Sequence, residues 1–374
     1  MNRNLLRGIA AALSVLMVLT VGVAVAFAEN VSYIYSYDDM FTKRDLKQSA
    51  DLAGSISFVV ADGEDIHIIE AGVYVLTGVA TEVTVYVEAS KDDKVQIVLD
   101  GVSIANGDAP AIYVKSADKV FVTTDRDSSF SVTGSFSSAD KADGVIYSKC
   151  DVVFNGDASL TISSTKNGIV GKDDLKITGG TYTVTAAAVA IKANDSIRIA
   201  DGTLDLTAGT DGLHAENGDD DGKGYIYIAG GAITIQAGDD GIHAASVIQV
   251  NDGRIAVTAA EGMEGTYIQL NGGTISVNGQ DDGVNAGQKS SAYTATIEIN
   301  GGAISIVMAS GDTDGIDSNG DIVINGGTIN VTGGSSFDYD GTATYNGGVI
   351  IVNGQTLSYI PNQQIGAGMG RGRG

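Results

Sequence analysis

The sequence predicts an all-β chain wound as a parallel β-helix, a solenoid of short coils, and three observations lead there. A strand–turn–strand unit recurs as "LKITGGTYTVT", "IRIADGTLDLT", "IYIAGGAITIQ", "IQVNDGRIAVT", "IQLNGGTISVN", "IEINGGAISIV" and "IVINGGTINVT". The second turn residue falls at Gly180, Gly202, Gly231, Gly253, Gly273, Gly302 and Gly327, in steps of 22, 29, 22, 20, 29 and 25 residues. Steps of about 20–29 residues suit one coil of three short strands; a propeller blade needs about twice that, and the leucine-rich signature is missing. The composition agrees: 51 Gly and only 2 Pro, with Val, Ile and Thr abundant, favours many strands joined by tight turns. Within each unit apolar residues alternate, so Ile226, Ile228, Ile233 and Ile235 should point inward and stack on their equivalents in neighbouring coils.

Residues 1–28 read as a signal peptide. Arg3 and Arg7 are followed by an apolar run from Ile9 and by "AFA" before Glu29, the order of an export signal and its cleavage site. The expected protein is secreted or associated with the cell surface, with an uncleaved anchor as the alternative and no stable membrane insertion after cleavage. The β-helix spans 29–360. "YDDMFTKRDLKQSADL" at 37–52 is the one helix-like stretch, placed in a short N-terminal cap over 29–55. "VTVYVEA" and "VQIVLDG" begin the coils. The two long steps hold insertions, "ENGDDDGKG" at 216–224 and "GQKSSAYTAT" at 287–296, and insertions in solenoids often gather on one, binding, face. Residues 361–374 read as a disordered Gly-rich tail. Cys150 is the sole cysteine, so packing rather than crosslinking must stabilise the fold, and it is expected as buried filler. His67, in "DIHIIE", alternates onto the solvent side.

A formal charge of −24 excludes a nucleic-acid binder, which needs clustered Lys and Arg, and fits a partner that brings cations. The acids are not scattered. The residue before a glycine is Asp211, Asp240, Glu261, Asp282 and Asp314 in five successive coils, and three residues later come His214, His243, Glu264, Asn285 and Asp317. Asp239, Asp281 and Asp312 stand beside them. A single Asp-Gly is adequately explained as a turn, with Gly at φ > 0; two such columns are not. Stacked coils would bring these carboxylates about 4.8 Å apart, where a pair repels by roughly 0.8 kcal/mol in water and more where water is excluded. Ca²⁺ would relieve this, because it accepts six to eight oxygens in irregular geometry; Mg²⁺ demands a tighter octahedron and Zn²⁺ more histidine than three residues provide. Candidate metal ligands are therefore Asp240, Glu261, Glu264, Asp281, Asp282, Asn285, Asp312, Asp314 and Asp317, strongest from Glu261 onward. Glu264 is expected to matter more to calcium than His243.

"GDDDG" at 218–222 lacks the spacing and final Glu of an EF-hand loop, and the "GGxGxD" β-roll repeat is absent. There is no G-x-S-x-G, and the acids are too many for any chosen pair to identify a glycosidase.

Taken together, "DKVQIVLDGVSI", "ADKVFVTT", "YSKCDVVFNG", "GKDDLKITGGTY", "DGLHAENGDDDGKGYIYIAGG", "AEGMEGTYIQLNGGTIS", "DDGVNA" and "GDTDGIDSNGDIVINGGTI" resemble a bacterial and archaeal family of secreted carbohydrate-binding β-helix domains. Its structural relatives are the pectate-lyase-like right-handed parallel β-helices. The likeness runs from about 40 to 360 and implies calcium at Glu261, Glu264, Asp282, Asn285, Asp314 and Asp317, with non-catalytic binding of plant-type or acidic polysaccharide. "AAAVAIKAND" at 186–195 departs from it by lacking the acidic pair, so the metal column is not expected before Asp211.

The leading expectation is a calcium-dependent binder of uronic-acid polymer, with a cellulose-like polymer as the other candidate ligand. The absence of Trp argues against a flat stacking platform, although 15 tyrosines leave room for one. His214, His243 and Arg254 are the candidate sugar contacts. A polysaccharide lyase would need calcium and a nearby base, for which Arg254, Lys223 and Lys289 are the basic residues nearest in sequence. A structural or adhesive surface protein rigidified by calcium is the third reading.

Overall fold

A computed structural model describes residues 32–137, 140–311 and 313–363. The expected signal peptide, residue Asp312 and the tail beyond 363 lie outside them. The regular structure of the described residues is almost wholly strand: 34 strands join in one sheet, with a single four-residue helix, Tyr37–Met40. Among the described residues every strand pairing is parallel except that of Val349–Val352 with Gln355–Leu357 and an isolated bridge between Ala61 and Glu64. Such a stack is consistent with a β-helix or solenoid.

Three lines of paired residues run along the stack. The first joins Thr181, Thr203, Ala232, Arg254, Thr274, Ala303, Thr328 and Val349. The second joins Ile191, Leu213, Ile242, Met263, Val284, Ile316 and Phe337. The third joins Ile197, Ile226, Ile248, Ile268, Ile297, Ile322 and Ala343. Repeats of the sequence therefore become vertical neighbours, like over like. Inward positions make one continuous core in which Ile226, Ile228, Ile233 and Ile235 are all buried, as alternation requires. Cys150 packs partly buried against that core, and His67 faces solvent.

The corners reveal why the motif reads "NGG". Gly231 and Gly273 take positive φ (95° and 81°), a region glycine enters without steric cost. The asparagine before each turn joins a ladder: the side-chain amides of Asn271, Asn300, Asn325 and Asn346 each donate to Oδ1 of the preceding Asn at 2.7–2.8 Å. Asn251 ends the ladder on the Tyr227 hydroxyl at 2.9 Å. Side-chain amides along this edge, buried at Asn300 and exposed at Asn346, are thus satisfied by their own repeats.

The segment expected to cap an open end runs instead along the side of the stack as a strap. Tyr35 exchanges two backbone hydrogen bonds with the Gln249 side chain (2.8 and 2.9 Å), and Gln269 donates to the Ser32 carbonyl. Asp45 is buried beside Lys176 (2.9 Å) and Lys119 (3.7 Å), and Gln48 ties Thr178 to Gly156. At the other terminus, Asn362 and Gln363, expected in the disordered tail, are held: Asn362 donates to the Tyr339 carbonyl and Gln363 pairs with Phe337 and Ser336.

The glycines after the acids of the second line do not turn the chain. Gly212, Gly241, Gly262, Gly283 and Gly315 lack left-handed φ, and four of them lie inside strands such as Asp240–Val250 and Glu261–Leu270. They are glycine because the next coil is too close. A Cβ on Gly262 would sit 2.3 Å from the Gly283 carbonyl and 2.4 Å from Val277 Cγ1. Gly262→Ala should therefore lower stability by about 1–3 kcal/mol, the cost of overpacking a filled interior. The check is a thermal or denaturant melt of the variant beside the parent; an unchanged melt would mean the coils are not so closely stacked.

Candidate metal and carbohydrate site

Strand alternation builds the site. In Asp240–Val250, Ile242 and Ala244 point into the core, so His243 between them points out. The same offset in the paired strands gives one outward line: Lys192, His214, His243, Glu264, Asn285, Asp317 and Asp338. Beside it stands the line of acids that precede the glycines, where Asp240 pairs with Glu261 and Asp282 with Asp314. Both expected columns are therefore brought together as neighbouring ladders. Asp281 sits exposed next to Asp282.

The ladder divides into two chemical halves. In the first, protein cations already meet the carboxylates. His243 Nδ1 lies 2.7 Å from Asp240 Oδ2 and 2.8 Å from Glu264 Oε2, and Lys289 Nζ lies 2.7 Å from Glu264 Oε1. Burial alone would lower the His243 imidazolium, but the two carboxylates hold it up at about 9. Burial would raise Glu264, yet His243 and Lys289 bring it down to about 2. Asp240, more deeply buried and next to Glu264, is pushed up to about 6. One coil earlier, His214 Nδ1 contacts Asp211 Oδ2 at 2.7 Å, its Nε2 lies 3.3 Å from Glu216, and its ring stacks on His243 (4.6 Å, 6° between planes). The expected rank of Glu264 as a leading calcium ligand is weakened here, because two cations already neutralise it.

The second half holds only oxygen and amide groups: Glu261, Asp282, Asn285, Asp314, Asp317 and Asp338. Burial and the neighbouring acids push Glu261 and Asp282 up to about 7 and Asp317 to about 6. Asn285 donates its amide to Glu261 at 3.0 Å, while its Oδ1, like Asp338 Oδ1, is buried with no hydrogen-bond donor. Crowded carboxylates that resist ionisation and buried acceptor oxygens without donors are the donor set a hard divalent cation requires. The residues fit calcium in this half better than in the first.

The insertions border the same region. Lys289, from the second insertion, reaches Glu264, and Ser290 Oγ donates to the Asp221 carbonyl of the first insertion at 2.6 Å. Lys223 is held by Asp195 at 2.5 Å. Arg254 is not brought to the ladder; it is exposed on the line of Ala232 and Thr274, a different face of the stack.

Three features escaped sequence reasoning. Asp338 extends the ladder, yet "SSFDYD" has no glycine to flag it, Ser336 standing in the glycine register. Glu216 lies in a loop without periodicity; Lys289, expected only as a candidate base, is instead the partner of Glu264. In the other direction the outward line continues from Lys192 through Val170, Tyr147, Tyr113 and Tyr86 to His67. Those last four rings meet successively, edge to face at 5.5 Å, tilted at 5.9 Å and stacked at 5.0 Å, with Lys115 over Tyr86 at 4.2 Å. One face thus carries aromatic rings at one end and acids at the other.

A family model described as carbohydrate-binding domain-containing protein matches residues 62–309. A carbohydrate-binding domain-containing protein of Acetivibrio thermocellus is 33% identical over 141 residues, 36% of this chain and 49% of the relative, so the chain spans about half the length of that relative. Among solved structures, the polysaccharide lyase-like protein from C. thermocellum, a gadolinium derivative, superposes with a TM-score of 0.53 at 31% identity, covering 55% of this chain and 92% of that one.

The raised carboxyls set a pH dependence. A carboxyl whose folded pKa exceeds its unfolded value favours folding while protonated, and that contribution is lost as pH rises through the folded pKa. With Glu261 and Asp282 at about 7 and Asp317 at about 6, against ordinary values of 4.5 and 3.8, the chelator-treated protein should melt at progressively lower temperature between about pH 4 and pH 7. Calcium should flatten that slope. A melting temperature that rises over this interval in chelator would contradict the assignment.

Proposed function

The chain belongs to the family of carbohydrate-binding domain-containing proteins, and we propose that it is a secreted, non-catalytic polysaccharide binder that uses calcium to hold acidic, uronic-acid polymers. We further propose that the parallel stack winds as a right-handed β-helix with coils of about 20–29 residues. The observation that carries the reading is the oxygen half of the ladder, where Glu261, Asp282 and Asp317 are driven towards protonation and Asn285 and Asp338 hold buried acceptors without donors.

Glu261, Asp282, Asn285, Asp314, Asp317 and Asp338 would hold calcium. When bound, the ion supplies positive charge shared between protein carboxylates and those of the polymer. The chain's own part is to fix its oxygens at the spacing of stacked strands, about 4.8 Å, comparable with the length of one pyranose unit. The parallel pairing makes that spacing rigid, and the buried core behind it limits adaptation. Further along the face, the exposed His67 ring, the half-buried Tyr86 and Lys115 offer apolar ring surface and a cation to sugar rings and their hydroxyls. Export is proposed from the N-terminal sequence.

The polysaccharide lyase-like neighbour keeps a second reading in view, a lyase acting on the same polymers. Proton abstraction needs a basic group near the cation. Lys289 and Lys223 each hold a carboxylate and Arg254 lies on another line, so the binder is favoured.

Passing the protein over immobilised polygalacturonate, with calcium and with chelator, separates the readings. Calcium-dependent retention, no unsaturated product in the ultraviolet, and retention reduced about tenfold or more in Asp282→Asn/Asp317→Asn are expected. Product formation would establish the lyase. Absence of retention on acidic and neutral polysaccharides alike, with calcium still raising the melting temperature, would leave a structural role.

A further inference from the structure

The first half of the ladder has a chemistry that calcium does not explain. We propose that His243, Asp240 and Glu264 form a separate site for a borderline transition-metal dication, with Zn²⁺ as the reference ion. His243 Nδ1, a carboxylate oxygen of Asp240 and one of Glu264 all lie within 4.8 Å of one another, the nitrogen 2.7 and 2.8 Å from the two oxygens. Zinc bonds of about 2.0–2.2 Å set tetrahedral ligands roughly 3.3 Å apart. His243 Nδ1 therefore needs to part from each of the two oxygens by only about half an ångström to admit the ion.

The supports are already in place. The His243 ring is held flat against His214 (4.6 Å, 6°), and His214 is itself anchored by Asp211 at 2.7 Å. Lys289 fixes the other oxygen of Glu264 at 2.7 Å, which leaves Oε2 directed at His243. Backing of this kind orients ligands before a metal arrives. The three side chains are 9–14% exposed, sheltered yet reachable from solvent.

Donor type then sorts the ions. Imidazole nitrogen suits zinc, copper or nickel and is foreign to calcium, whereas the all-oxygen set from Asp282 to Asp338 suits calcium and gives zinc no nitrogen. The proton that His243 shares with the two carboxylates is released to solvent as the dication takes its place, so the exchange is balanced. The site stands independently of polysaccharide binding, and each can fail without the other.

Calorimetric titration of the full chain with Zn²⁺ in excess Ca²⁺ tests it. One saturable Zn²⁺ per chain is expected, weakened about tenfold or more by His243→Gln and by Glu264→Gln, and unchanged by Asp282→Asn or by His67→Gln. Because His243→Gln removes a partner of two carboxylates, folding is checked by circular dichroism, and the parent is titrated separately with Co²⁺. A four-coordinate visible spectrum that calcium does not displace supports the site. No saturable Zn²⁺ uptake, uptake abolished by His67→Gln, uptake unaffected by both Glu264→Gln and His243→Gln, or a Co²⁺ spectrum erased by calcium would each overturn it.

Discussion

Parallel pairing of repeats is the constraint on which everything else rests. It sets each residue directly over its equivalent in the next coil, so a choice made once in the repeat is made many times in space. Apolar residues stacked this way give a continuous core with isoleucine at nearly every inward position of one line, from Ile197 to Ile322. Asparagines give a hydrogen-bonded ladder from Asn251 to Asn346. Acids stacked the same way create a debt of charge that the chain must settle. It does so by two means: with His243 and Lys289 in one half, and by driving Glu261, Asp282 and Asp317 towards protonation in the other.

Close approach of the coils gives this arrangement its precision. The carbonyl of Gly283 lies where a Cβ on Gly262 would need to be, and the carbonyl of Gly262 stands in the same relation to Gly241. The line of glycines lets the backbones close, and the acids immediately before it are carried on a stiff surface. The two insertions meet beside this line at Asp221 and Ser290, so the least regular parts of the chain flank its most regular feature.

Much of this was legible in the sequence because it is periodic. The strand lines, the inward isoleucines and the register of Asp240 over Glu261 all follow from counting residues between "NGG" and "DG" motifs. What was misread or missed lacks a period. The glycine of "DDGIHA" resembles a turn residue locally, and only the neighbouring coil reveals that it is there for want of space. Asp338 follows Ser336 rather than glycine. The strap finds partners 131 to 237 residues away, at Lys176, Gln249 and Gln269, through side chains that no repeat marks. The aromatic half of the face is invisible because its tyrosines fall in coils whose sequences diverge from the rest.

The central claim is that the oxygen half of the ladder is completed by a hard cation. Anomalous X-ray scattering from crystals soaked in a lanthanide, a heavy substitute that seeks the same oxygen ligands as calcium, tests it most directly. Peaks are expected within bonding distance of the carboxylate and amide oxygens between Asp282 and Asp338. Peaks confined to other surfaces, with those side chains hydrogen-bonded only to one another and to water, would contradict it.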